Sequence, residues 1–232
     1  MNPIIFVSLG PGEAELITMK GLKALQKADL VFYPSTRKAG KEVSRAFDIM
    51  NQLEIQSSKL IPFHVPMSKN RAAVLQAYKD VSDQLILHQK EGRKVVIVAE
   101  GDSGFYSTTY YIYEYIEKEG LPVERVAGIP AFIAAGTLGM LHIAAQEQEL
   151  HVVPGTILAN DLQERIQKNN VVVIMKTSLC EEEVKKCIRA FPEASYHYFE
   201  NVGLPHKEYY TQVNEDILNR DFPYFSLMII QK

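Results

Sequence analysis

The sequence holds only two cysteines, Cys180 and Cys187. Lying about two helical turns apart, they suit neither a zinc knuckle nor a disulfide framework and read as structural thiols. A dominant charge is missing too: 25 Lys and Arg oppose 28 Asp and Glu, a net charge of -3 with no block of one sign. Nucleic-acid binders carry a basic stripe, so that class is set aside. No apolar run approaches the roughly 20 residues of a membrane helix. The opening "MNPIIFVSLG" lacks the basic start and small-residue cleavage site of a signal peptide, so it reads as a first strand and the chain as cytoplasmic. His64, His88, His142, His151, His197 and His206 form no pair at metal spacing, and no protein-bound metal is expected.

What is present is ordinary globular composition, 47% hydrophobic and 23% charged, which argues against long disorder. A length of 232 residues favours two compact units. Gly120 and Pro122 in the charged stretch "EKEGLPVE" mark a hinge, dividing the chain into 1–120 and 121–232. Short β-branched runs alternate with amphipathic segments, the pattern of an α/β fold with a mostly parallel sheet. Strands are predicted at 4–9, 29–34, 59–64, 94–100 and 123–128. A helix is predicted over "AELITMKGLKALQKA", with Leu16, Met19, Leu22 and Leu25 on one face. Further strands at 149–154, 170–176, 195–200 and 224–231 follow with fewer helices near the end, which predicts a mixed C-terminal sheet.

Three strand-to-helix turns carry the chemistry. The first, "SLGPGEAEL", begins like a dinucleotide loop but breaks the pattern: Pro11 removes a backbone N–H, and Glu15 replaces the third glycine. Glu13 and Glu15 add negative charge, so the turn suits a positive centre or plain loop packing better than a phosphate. The second, "AEGDSGFYST", places Glu100, Gly101 and Asp102 beyond a strand's carboxyl end, where ligands collect in open α/β sheets. Asp102 is a candidate helix cap or ligand-ordering group. Tyr106, Tyr110, Tyr111, Tyr113 and Tyr115 span more than one helix face, so some belong to the core and others to a cleft. The third, "VAGIPAFIAAG", enters a helix of small residues that would let a flat ligand or another helix come close.

Taken in order, these stretches resemble the tetrapyrrole methylases of the cobalamin and sirohaem pathways, which use S-adenosylmethionine. "SLGPGEAELITMKGLKALQKADLVFYPS" resembles the family's Gly-Pro-Gly signature, and "VVPGT", "VVVIMK", "ENVGLPHKE" and "PYFSLMIIQK" resemble later segments at the right spacing. "FYST" and "PYFSL" look most like the precorrin-2 or cobalt-factor II C20-methyltransferase branch. Three positions depart from the family pattern: Ser103 for a usual Pro, Ala127-Gly128 for Pro-Gly, and Pro130 for a common hydroxyl residue. A proline there has neither N–H nor hydroxyl, so any contact is apolar or through its carbonyl.

The resemblance implies two α/β domains, with the N-terminal one forming a substrate trough and the C-terminal one completing the S-adenosylmethionine cleft. It implies a homodimer and a tetrapyrrole substrate, precorrin-2 or cobalt-factor II. Carried over residue by residue, the cofactor site comprises Pro11, Glu100, Gly101, Asp102, Phe105, Pro130, Ala131, Met175, Gly203 and Leu204. The expected reaction is methyl transfer to C20. Alternatives are a methylase of the same fold acting at another ring position, and a non-catalytic binder of the cofactor or tetrapyrrole. The methyl is already activated, so alignment supplies most of the catalysis. Asp102, Tyr106 and Glu100 are candidate acceptors of the displaced proton. Arg37, Lys38, Lys41 and Arg45 are candidates for substrate carboxylates or for a solvated helix face.

Overall fold

The computed structural model describes residues 2–38, 41–66 and 70–232. The chain forms two units, Met1–Pro130 and Ala131–Lys232.

In the first unit the elements are β1 (Ile4–Ser8), α1 (Met19–Lys27), β2 (Leu30–Lys38), β3 (Lys41–Val43), α2 (Arg45–Gln52), β4 (Leu60–His64), α3 (Arg71–Lys90), β5 (Val95–Ala99), α4 (Tyr110–Lys118) and β6 (Val123–Val126). The sheet runs β3-β2-β5-β1-β6, with β4 also on β2, and every pairing except β2–β3 is parallel. Side chains alternate across it with period two. Val7, Val31 and Val98 join Leu25, Ile49 and Met50 under α1 and α2. Their sequence neighbours Phe6, Phe32 and Ile97 join Leu85, Ile112 and Ile116 under α3 and α4. Burying each such side chain contributes about 1.5–3 kcal/mol, which is why β-branched runs with no polar interruption become central strands.

The sequence places the domain break at 120. The strand that follows pairs with β1, Ile4 opposite Val123 and Val7 opposite Val126, and the first unit extends to Pro130. Two local expectations are corrected. The helix over 14–28 starts at Met19, because Thr18 takes the cap position and its hydroxyl accepts the Gly21 N–H at 3.1 Å. Met19 is consequently 68% exposed, off the expected apolar face, and Ala14–Leu16 forms a separate 3-10 turn. Arg37 and Lys38 lie on β2 and Lys41 on β3, so these residues form a hairpin instead of a helix face. Pro34 is tolerated inside β2 because pairing with β5 ends at Phe32, two residues earlier.

The second unit contains α5 (Ala131–Leu138), β7 (Leu150–Pro154), α6 (Ala159–Gln167), β8 (Val171–Met175), α7 (Glu181–Ala190), β9 (Ser195–Glu200), β10 (Tyr209–Thr211), α8 (Asn214–Leu218) and β11 (Ser226–Gln231). Its sheet runs β10-β9-β11-β8-β7 and is mixed as expected: β7 and β8 are parallel and the other pairs antiparallel. Tyr196 and Tyr198 from β9 are fully buried with Leu162, Val184, Cys187 and Met228. Cys180 and Cys187 are buried free thiols, and burial beside Glu183 pushes Cys180 up to about 11.

Candidate functional site

Because β5, β1 and β6 are parallel neighbours, their carboxyl ends emerge at one sheet edge, and the turns that follow them converge. Leu9 N–H donates to the Ala99 carbonyl at 2.9 Å. Gly10 and Gly101 then exchange backbone bonds, at 3.1 Å from Gly10 N–H and 2.7 Å from Gly101 N–H. Both are left-handed, at φ +82° and +66°, which is why glycine serves at each.

Asp102 ties in the third turn. One carboxylate oxygen accepts the Gly128 N–H at 2.7 Å, and the other accepts the Gly104 N–H at 2.8 Å. It caps no helix; α4 begins later, after Thr109. Ser8, fully buried at the end of β1, accepts the Ser103 N–H on its Oγ at 2.9 Å, and that Oγ lies 3.4 Å from Asp102. A proline at 103 has no N–H for this bond, so the departure at Ser103 adds a link between the first and second turns. Thr18 Oγ1, besides capping α1, donates to the Ala127 carbonyl at 3.3 Å. Gly128 is required sterically: a Cβ there stands 2.4 Å from Ser8 Cβ and 2.5 Å from the Gly101 oxygen.

This bonding has an electrostatic consequence. The N–H groups of Gly10, Gly101, Ser103, Gly104 and Gly128 all point at protein acceptors. Pro11 and Pro130 have none to offer. Donors that cradle a phosphate in other glycine-rich turns are thus spent internally, while the second turn carries the carboxylates of Glu100 and Asp102. A Cβ added to Gly101 would meet nothing within 4 Å, so the turn presents an open face. The arrangement suits a ligand with a positive centre.

Glu100 directly precedes Gly101 at the end of β5. Its Oε2 lies 3.4 Å from Arg45 Nε, and Arg45 Nη2 donates to the Pro11 carbonyl at 3.2 Å. Arg45 therefore joins the first two turns from the start of α2, where Ser44 caps the helix by accepting the Phe47 N–H. The Glu100 side chain keeps 30% exposure, yet loss of water around its carboxylate raises its pKa, against the pull of the Arg45 cation.

Among the expected site residues, Pro11, Glu100, Gly101 and Asp102 come together at this edge, with Phe105 and Pro130 in the second and third turns. Tyr106 is left-handed at φ +49° and 44% exposed, its ring 4.6 Å from that of Phe105. In the second unit, Ala131 opens α5. Met175 ends β8 between Pro154 and Leu227, and the left-handed Lys176 after it crowds Gly155. Gly203, at φ +83°, donates its N–H to Glu208 at 2.7 Å and precedes Leu204. Sequence reasoning missed Ser8 and the structural roles of Thr18 and Gly128, and it left Arg45 between substrate carboxylates and a solvated helix face. A serine closing the apolar run "IIFVS" was the available signal for Ser8.

Among the described residues, no group of three or more His, Cys, Asp or Glu side chains is placed to hold a metal ion, and no helix is long and apolar enough to cross a membrane. The family model for Tetrapyrrole (Corrin/Porphyrin) Methylases matches residues 3–217. The chain is 26% identical to the precorrin-2 C(20)-methyltransferase of a Sinorhizobium species, over 98% of this chain and 94% of that protein. It is 25% identical to the cobalt-precorrin-2 C(20)-methyltransferase of Salmonella typhimurium, over 97% and 94%. The structure of uroporphyrin-III C-methyltransferase from Thermus thermophilus, in complex with S-adenosylhomocysteine, superimposes with a TM-score of 0.68 at 17% identity, over 99% of this chain and 92% of that one.

Proposed function

This chain belongs to the tetrapyrrole (corrin/porphyrin) methylases, and on that premise we propose that it transfers the methyl group of S-adenosylmethionine to C20 of precorrin-2 or its cobalt form, in corrin biosynthesis. The observation that carries this reading is the inward use of backbone donors by three turns at one sheet edge. That chemistry disfavours a phosphate cofactor and accepts a sulfonium. The near full-length likeness to two C20-methyltransferases selects the ring position.

In this reading the open face of Gly101 and the carbonyls of the first two turns receive the cofactor, with Pro11, Phe105 and Pro130 supplying apolar contact. Asp102 holds the turns in register through the Gly128 and Gly104 N–H groups. The resemblance assigns further cofactor contacts to Ala131, Met175, Gly203 and Leu204. S-adenosylmethionine supplies a methyl already activated by its sulfonium. The protein's task is alignment, and bringing donor and acceptor to near-contact distance lowers the barrier by several kcal/mol.

The test is calorimetry with S-adenosylhomocysteine, followed by incubation of precorrin-2 and of its cobalt form with methyl-labelled donor. Label at C20 supports the assignment, and the faster substrate identifies the metal state. Label at another carbon retires the C20 assignment. Tight binding with no product points instead to a binding protein. Light scattering of the same sample tests the proposed homodimer.

A further inference from the structure

Methylation of a meso carbon releases its proton, and three groups at the turn cluster are available to take it. Asp102 is committed: each carboxylate oxygen accepts a backbone N–H, and protonation would loosen the turns it joins. Tyr106 offers a phenol, which must lose its own proton before taking another. Glu100 has neither restriction. Residue 100 follows Val96 and Val98 on the α2 side of β5, so its carboxylate meets Arg45, and at the end of that strand, just before Gly101, it keeps 30% exposure. The Arg45 side chain, only 13% exposed and bonded to the Pro11 carbonyl, fixes where that carboxylate sits.

We propose that Glu100 accepts the meso proton, with Arg45 as its positioning residue. This rests on the C20-methyltransferase reading. In the first step the S–CH3 bond breaks with its electron pair going to sulfur, while a macrocycle π pair forms the new C–CH3 bond. In the second, the C–H pair returns to the macrocycle and the proton passes to Glu100. The carboxylate becomes a carboxylic acid, and solvent later removes the proton. Two charged side chains of α2 act on Glu100, Arg45 lowering its proton affinity and Asp48 raising it. Removal from water raises it most, which leaves a stronger base than an ordinary carboxylate.

The experiment compares the full-length wild-type protein with Glu100→Gln and Asp48→Asn. For Glu100→Gln, kcat should fall about 100-fold or more, a larger loss than any accompanying fall in S-adenosylhomocysteine affinity. In the wild type, kcat should fall as pH drops through the Glu100 pKa, along a limb lying above the ordinary carboxylate range. That limb should be absent from the residual activity of Glu100→Gln. Asp48 is exposed on α2, and Asp48→Asn should move the limb to lower pH. If Glu100→Gln does not fold, the Asp48→Asn shift decides. Full activity in Glu100→Gln, or a limb unmoved by Asp48→Asn, overturns the assignment of Glu100 while leaving C20 methylation intact. A wild-type protein that binds S-adenosylhomocysteine but methylates nothing brings down the underlying reading instead.

Discussion

The two sheets use similar residues for different ends. In the first unit, parallel β5, β1 and β6 deliver their carboxyl ends to one edge, where Ser8, Asp102 and Gly128 knit three turns together. In the second, antiparallel β9, β11 and β8 end alternately at opposite edges, and the polar side chains serve the core. Glu200, for example, is held by Arg220 and by the Tyr198 hydroxyl at 2.8 Å. Strand direction therefore determines whether a polar residue at a strand end can join a shared site or must be neutralised where it stands.

The contrast breaks most severely at Asp102. Asp102→Ala removes the acceptors for the Gly104 and Gly128 N–H groups, and each donor left unsatisfied costs about 1–3 kcal/mol. We expect S-adenosylhomocysteine affinity to fall by about 100-fold or more in calorimetry. Asp102→Asn, which keeps one carbonyl acceptor, should lose less. Retention of wild-type affinity by the alanine variant would mean that the three turns do not act together.

Arg220→Met probes the other sheet. Glu200 is 8% exposed and Arg220 36%, with contacts at 2.5 and 3.0 Å. Breaking a fully buried pair costs about 3–5 kcal/mol. Exposure of the arginine reduces this to about 2 kcal/mol, read as a lower Tm with cofactor affinity unchanged. A variant that binds S-adenosylhomocysteine poorly would refute the separation of roles.

Much of this was legible in the sequence, and the losses have physical causes. β-branched runs such as "VVIVA" and "VVVIM" form buried strands, and a strand forms in each of the nine predicted spans, several of them ending short of the predicted bounds. The short edge strands β3 and β10 were missed because "KEV" and "YYT" carry no alternation to detect. The glycines of the first two turns were legible because φ above zero selects them. Gly128 has a different reason, a close approach by the Gly101 carbonyl and by Ser8, the latter across more than a hundred residues of chain, which no local pattern encodes. For Arg45, substrate carboxylates and a solvated helix face both stayed open until the fold placed Glu100 beside it.

Gly128→Ala sharpens the first half of the contrast. Its Cβ would overlap Ser8 Cβ and the Gly101 oxygen, and overpacking of this kind costs about 1–3 kcal/mol. Because the third turn must shift while the rest of the sheet stays intact, affinity for S-adenosylhomocysteine should fall about tenfold, with Tm lower by about 2–4 °C for each kcal/mol lost.

Thr18→Ala gives the smallest expected effect and the finest discrimination. The hydroxyl of Thr18 accepts the Gly21 N–H at the start of α1 and donates to the Ala127 carbonyl in the third turn. Losing a cap costs about 1 kcal/mol of stability. The bond to Ala127 is 3.3 Å long, so its loss should change affinity only a few-fold. Thr18→Ser keeps both bonds and should match the wild type within a few tenths of a kcal/mol. If alanine lowers Tm without touching affinity, Thr18 is a helix cap alone. If both fall together and serine restores both, the start of α1 is coupled to the third turn, and the site reaches beyond the strand ends into the helix that follows β1.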